Sequence, residues 1–301
     1  MASQGVASMF ALALLLGAFA SIPQSVESIG VCYGMSANNL PAASTVVSMF
    51  KSNGINSMRL YAPDQAALQA VGGTGVNVVV GAPNDVLSNL AASPAAAASW
   101  VRSNIQAYPK VSFRYVCVGN EVAGGATQNL VPAMKNVQGA LASAGLGHIK
   151  VTTSVSQAIL GVYSPPSAGS FTGEADAFMG PVVQFLARTG APLMANIYPY
   201  LFDTTVDAFY TAMAKHGGSN VKLVVSESGW PSGGGTAATP ANARIYNQYL
   251  INHVGRGTPR HPGAIETYVF SMFNENQKDS GVEQNWGLFY PNMQHVYPIS
   301  F

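Results

Sequence analysis

Eight short runs rich in apolar and β-branched residues recur along the chain: GVCYG (30–34), SMRLYA (57–62), NVVVGA (77–82), RYVCVGNE (114–121), KVTTSVS (150–156), LMANIYPY (193–200), KLVVSESGW (222–230) and ETYVFSMFNE (266–275). Between them lie stretches with helical character at Asn39–Asn53, Pro94–Ala107, Asn129–Ala144, Asp176–Arg188, Phe202–His216 and Pro240–Val254. Prolines stand at the start of two of these, and glycine closes most of the others, as helix termini require. Strands separated by helices pair in parallel, because each crossover consumes a helix. Runs that are apolar throughout fit a sheet buried on both faces. Eight such units in roughly 270 residues fit one (β/α)8 barrel, typically about 250 residues long. An open doubly wound sheet would announce itself by a glycine-rich phosphate turn after the first strand. That turn here is Gly34-Met35-Ser36-Ala37-Asn38, which has no G-x-G-x-x-G. No linker, repeat or charge block divides the chain. The expected fold is therefore α/β, a single-domain TIM barrel over residues 29–301.

Ahead of the first run, Met9–Ala20 is apolar but too short to span a bilayer. Small residues at Val26 and Ser28 complete the pattern of a secretory signal at residues 1–28, cleaved after Ser28. The basic n-region is missing, since no Lys or Arg precedes Lys51. A secreted, extracellular protein with no membrane attachment after cleavage is expected. A domain of this size needs no disulfides. Cys32 and Cys117, both in apolar runs, read as buried free thiols, with a single bridge as the alternative.

Charged residues make up only 9% of the chain, against 48% hydrophobic, and the net charge is +1. That balance excludes disorder. Nothing in it suggests nucleic acid or an anionic membrane surface, and a neutral partner such as a polysaccharide fits at least as well. Nothing indicates oligomerisation, and a monomer is expected. In a chain this poor in charge each carboxylate is informative. Barrel active sites lie at the C-terminal ends of the strands. The fourth run ends Gly119-Asn120-Glu121, the seventh Ser226-Glu227-Ser228-Gly229-Trp230, and the eighth Phe273-Asn274-Glu275, so three of the seven glutamates converge on one mouth. Metal binding would want histidines at ligand spacing, and the five present show none; no metal or other cofactor is expected. Arg59, inside the second run, can orient a carboxylate or serve the barrel structurally. Tyr33, Tyr61, Tyr198, Tyr200, Trp230 and Phe273 add aromatic rings to the mouth. Aromatic faces beside carboxylates and amides suit a sugar, whose apolar faces stack while its hydroxyls hydrogen-bond. Two glutamates flanking a glycosidic bond are the usual means of hydrolysing it.

These motifs, IGVCYG (29–34), VGNEV (118–122), ANIYPY (195–200), VVSESGWPSGG (224–234) and FNENQK (273–278), resemble glycoside hydrolase family 17, the plant β-glucan endohydrolases. The resemblance runs from Ile29 to Phe301. Within the family the chain looks most like the cereal 1,3;1,4-β-glucanases, through GMSANNLPAASTVVSMFKSNGI and KDSGVEQNWGLFYPNMQHVYPI. The 1,3-β-glucanases are the sister group. The resemblance implies a retaining glycosidase of β-glucan polysaccharide in the cell wall, with Glu121 as acid/base and Glu227 as nucleophile. It places Asn120 on the sugar 2-hydroxyl, and Tyr33, Tyr198, Trp230 and Phe273 against substrate. Glu275, Lys278 and Glu283 become a supporting charge cluster beside the nucleophile; a plain loop ion pair between Lys278 and Glu283 is the alternative. Glu121 is expected to be sunk in a partly apolar mouth. One departure stands out. After ANIYPY the chain passes directly to LFDTTVDAFY (201–210), where family members carry a few dozen residues forming part of the cleft wall. The domain is thus shortened after the sixth strand, near 200–202. Endo-1,3-β-glucanase and non-catalytic β-glucan-binding readings therefore stay open beside the mixed-linkage one.

Overall fold

The computed structural model describes residues 29–199 and 201–301; the expected signal segment and Tyr200 lie outside the described residues. The strands are β1 (Ile29–Cys32), β2 (Ser57–Leu60), β3 (Asn77–Ala82), β4 (Ser112–Asn120), β5 (Lys150–Ser156), β6 (Leu160–Val162), β7 (Ser170–Phe171), β8 (Leu193–Asn196), β9 (Leu223–Ser228) and β10 (Thr267–Val269). Eight of them close a barrel in the order β1-β2-β3-β4-β5-β8-β9-β10, with β10 paired back to β1. Every pairing in the barrel is parallel. The TIM-barrel expectation holds.

The helices are α1 (Ala43–Ser52), α2 (Gln65–Val71), α3 (Leu87–Ala92), α4 (Pro94–Val101), α5 (Leu130–Ser143), α6 (Gly173–Thr189), α7 (Phe202–Lys215) and α8 (Pro240–Val254). Side-chain caps mark several starts. Thr239 accepts from Asn242 N ahead of Pro240, Ser93 from Ala96 N ahead of Pro94, and Thr172 from Ala175 N. Helices α2 and α3, of seven and six residues, are not foreseen from the sequence, nor is the antiparallel β6–β7 hairpin. Each is too short to show a hydrophobic period.

Strand side chains alternate between two apolar layers. Val78, Val80, Val116 and Val118 face the helices, while Cys32, Val79, Tyr115, Cys117, Met194 and Tyr268 fill the barrel interior. Both cysteines are buried and free. At the N-terminal end of β10, Glu266 accepts from Tyr115 OH at 3.0 Å and Tyr268 OH at 2.8 Å and pairs with Arg114 Nη2 at 2.9 Å. This closes the floor and leaves the opposite end as the mouth.

Helix α7 is tied to both neighbours through its ends. His253 in the last turn of α8 meets Asp203 in its first turn, and His216 at its end meets Asp176 in the first turn of α6. The N-cap of α7, Leu201, has φ 58° and is 56% exposed. An abrupt, strained entry to α7 is the structural mark of the short connection after β8.

Candidate active site

The end of β4 explains how an apolar strand delivers a carboxylate to solvent. Gly119 (φ 74°) and Glu121 (φ 50°) both adopt left-handed backbone, which costs a non-glycine residue about 1 kcal/mol or more. The turn is pinned from two sides. Glu121 N donates to Ser154 O of β5 at 2.8 Å, and the Asn84 side chain bonds both Asn120 N and Asn120 O at 2.8 Å. Val122 is buried as a result, and the Glu121 side chain leaves the wall, exposed.

Glu227, within β9, is its opposite at 7% exposed. Its Oε1 accepts from Arg59 Nη1 and Tyr61 OH, each at 2.8 Å, and its Oε2 from Tyr198 OH at 2.9 Å. Burial holds the Tyr61 and Tyr198 hydroxyls well above the usual phenol range, and for Tyr198 the Glu227 charge adds to it, so both stay protonated donors. Arg59 lies in β2, only 1% exposed. Burial works against its charge, but the Glu227 carboxylate 2.8 Å away favours it, and the guanidinium stays protonated. Arg59 also donates to Ser226 O at 2.7 Å and, through Nη2, to Asn120 Oδ1 at 2.7 Å. Asn196, the last residue of β8, donates from Nδ2 to Glu121 Oε1 at 2.9 Å, and its Oδ1 accepts from Ser226 Oγ at 2.8 Å. One buried polar network thus links both glutamates.

An open cleft of about 560 Å³ lies over Glu227, walled by Tyr33, Tyr61, Asn120, Phe270, Glu275 and Lys278 among others. A second depression of about 370 Å³ lies on the other side of Glu121, between Val155, Ser156, Thr172, Glu174 and Phe178. Glu275 is 2% exposed; its Oε1 accepts from Ser36 N at 2.8 Å and its Oε2 pairs with Lys278 Nζ at 2.9 Å. A Cβ on Gly34 would overlap the Glu275 carboxylate, so only glycine lets the β1 loop close over it. Lys278 Nζ in turn sits 4.3 Å above the Phe270 ring. Among the described residues no three His, Cys, Asp or Glu side chains converge as metal ligands would.

The pattern defining glycosyl hydrolases family 17 matches residues 29–202 and again 201–301. The chain belongs to glycosyl hydrolase family 17. The family 17 relatives include Lichenase-2 of Hordeum vulgare, 83% identical over 312 aligned positions that cover 93% of this chain and 100% of the barley one. The acidic isoform of glucan endo-1,3-beta-glucosidase from Zea mays is 50% identical over 338 positions, covering 100% of each chain. A solved structure, described as one of two plant beta-glucan endohydrolases with distinct substrate specificities, superposes with TM-score 0.90 at 83% identity, covering 90% of this chain and 100% of its own.

Within this family 17 hydrolase, Glu121, Glu227 and Asn120 meet at one mouth as expected, and Tyr33 and Glu275 line the cleft over Glu227. Tyr198 reaches the site too, but its hydroxyl is committed to Glu227, and its ring stands edge-on to Trp286 at 5.1 Å. Other expectations need correction. Phe273 is 1% exposed, sealed between Tyr33 and Phe289, so no sugar face can reach it; Phe270 takes the wall position. Trp230 is half-buried, gives its indole N–H to Ala237 O and packs against Tyr246. Lys278 pairs with Glu275, and Glu283 is exposed without an ion-pair partner among the described residues. Arg59, not Lys278, is the cation on Glu227. Glu121 is exposed rather than sunk.

Sequence reasoning passes over Asn196 and Trp286. A signal for Asn196 exists. Asn196 and Tyr198 are two residues apart at one strand end, as are Arg59 and Tyr61 at another, and a period of two puts each pair on one face. Trp286 comes from a loop and has no comparable signature.

Proposed function

We propose that the protein is a secreted, endo-acting retaining glycosidase that hydrolyses 1,4-β bonds in mixed-linkage 1,3;1,4-β-glucan, acting as a monomer free of membrane. The observation that carries this reading is the unequal pair of glutamates on one network. Glu227 is buried and accepts hydrogen bonds from three donors, so its carboxyl is held in one orientation, as a nucleophile needs. Glu121 is exposed and, among the described residues, bonded at one oxygen only, which leaves its other oxygen open to a substrate.

In the first step Glu121 gives its proton to the glycosidic oxygen, which leaves with the electron pair of the breaking bond to C1. Glu227 attacks C1 and forms a glycosyl ester. Water then attacks C1 while Glu121 takes its proton, and the ester bond returns its electrons to Glu227. Among the described residues two donors occupy Oε1 of Glu227, and only Tyr198 occupies Oε2. Oε2 keeps a free lone pair and is the attacking oxygen. Asn120, with its oxygen held by Arg59, has its amide nitrogen available for the sugar 2-hydroxyl.

The preference for mixed-linkage glucan is supported by the 83% identity to the barley protein named Lichenase-2, against 50% to the maize 1,3-β-glucosidase. The apolar leader at Met9–Ala20 supports secretion to the cell wall. The short connection after β8 favours a second reading, a β-glucan-binding form with an incomplete cleft. Since 93% of 301 residues is about 280, against 312 aligned positions, about thirty positions of the barley protein face no residue here, and the two family matches meet at 201–202.

Release of reducing sugar from mixed-linkage, 1,3- and 1,4-β-glucans, with Glu227→Gln alongside, tests the proposal. Cleavage of the mixed polymer alone, abolished in the variant, supports it. Cleavage of 1,3-glucan instead points to the sister activity. A folded chain that binds glucan but cleaves none supports the binding form.

A further inference from the structure

Asn196 is 1% exposed, and the steps described above make no use of it. We infer that Asn196 is the positioning residue of the acid/base Glu121 and decides which oxygen of that carboxyl carries the proton. This rests on the two-glutamate reading of the site.

The orientation of the Asn196 amide follows from its neighbours. Its Oδ1 faces Ser226 Oγ at 2.8 Å, Ser154 Oγ at 3.0 Å and Arg59 Nη1 at 3.3 Å. A guanidinium N–H can only donate. Turning the amide over would set N–H against N–H at Arg59 and carbonyl oxygen against carboxylate at Glu121. The Nδ2 group therefore faces Glu121, and it donates to Oε1 at 2.9 Å. An oxygen receiving that hydrogen bond is the wrong one to carry a proton on the same side, because two hydrogens would then face each other. The acidic proton belongs on Oε2, for which no protein partner is found among the described residues. It passes from Oε2 to the glycosidic oxygen while Oε1 stays bonded to Asn196, both before and after transfer.

Glu121 needs such a holder. Its side chain is exposed, it stands on a left-handed turn, and among the described residues Asn196 makes its one side-chain hydrogen bond. Proton transfer demands placement to within about 1 Å. Asn196 can supply that because it is itself fixed by β5 through Ser154 and by β9 through Ser226.

The test compares kcat/KM of the full chain on mixed-linkage β-glucan with that on a β-gluco-oligosaccharide bearing a 2,4-dinitrophenolate leaving group, which departs without a proton. For Asn196→Ala a loss of about 10²-fold is expected on the glucan and less than about 5-fold on the activated substrate, the signature of failed general-acid catalysis. Glu121→Ala should show the same split, more strongly. Asn196→Ser, which keeps a hydroxyl between Ser154 and Ser226, repeats the test should alanine unfold the chain. Equal losses on both substrates would overturn the inference, because damage to the fold or to Glu227 slows both. An unchanged rate on the glucan would overturn it as well. If Glu121→Ala splits the substrates and the Asn196 variants do not, the inference alone fails. If Glu121→Ala shows no split, or the unaltered chain cleaves neither substrate, the two-glutamate reading fails with it.

Discussion

Replacing Arg59 by methionine keeps most of the side-chain volume and removes only the charge and its donors. Arg59 and Glu227 are 1% and 7% exposed and 2.8 Å apart. Breaking a buried pair by removing one partner costs about 3–5 kcal/mol, because the other charge is left buried without compensation. The loss also strips a donor from Ser226 O and Asn120 Oδ1. A contrast comes from Arg114, whose pair with Glu266 has its arginine side chain 39% exposed; breaking an exposed pair costs about 1 kcal/mol or less. At about 2–4 °C per kcal/mol for a domain of this general size, Arg59→Met should lower Tm by about 10 °C and Arg114→Met by only a few degrees. The decisive measurement is a cycle by chemical denaturation with Glu227→Gln. Adding that change to Arg59→Met should restore at least about 2 kcal/mol, since a neutral amide tolerates the missing charge. A coupling near zero, or equal effects at Arg59 and Arg114, would refute the claim that burial makes this pair matter.

Alkaline stability follows from the buried acids. Burial pushes the Cys32 thiol from 9.0 to about 12 and the Tyr33 and Tyr246 hydroxyls from 10.0 to about 12. These groups are neutral in the folded state and ionise earlier once unfolded. Their contribution is complete below pH 9 and is lost as pH rises toward 12, so Tm should fall steadily above pH 9; a flat Tm from pH 8 to 11 would contradict the assignment. Leu201→Gly should stabilise by roughly 0.5–1 kcal/mol in thermal unfolding, since relief of a left-handed leucine exceeds the entropy glycine adds. Gly34→Ala should destabilise by about 1–3 kcal/mol by driving Glu275 off Ser36 N, and should weaken glucan binding at the Tyr33 wall; an unchanged KM and Tm would argue against that close approach.

Much of this architecture is legible in the chain. Helix α8 begins and ends where Pro240 and Gly255 say it should, and β3 and β5 match the apolar runs at 77–82 and 150–156. The eighth run is less so. Its ladder covers Thr267–Val269, after which the chain stays against the barrel through irregular bonds such as Met272 N to Cys32 O. Apolar composition marks that a segment is buried, not whether it keeps a regular register. For the same reason Phe273 looks like a sugar platform in the sequence and proves to be packing.

The alternation of strands and helices, the barrel it implies, and the placing of Glu121 and Glu227 at strand ends can all be read along the chain. Those follow from local rules: helix stops, a period of two, and scarce charge. What meets each carboxylate is set by the folded barrel. Arg59 and Glu227 are 168 residues apart, and Asn196 and Glu121 are 75 apart. Their meeting depends on the stagger of strands around the closed barrel, which brings β2, β8 and β9 together across the mouth. No local pattern encodes a contact across a barrel, because it is set by closure of the whole ring.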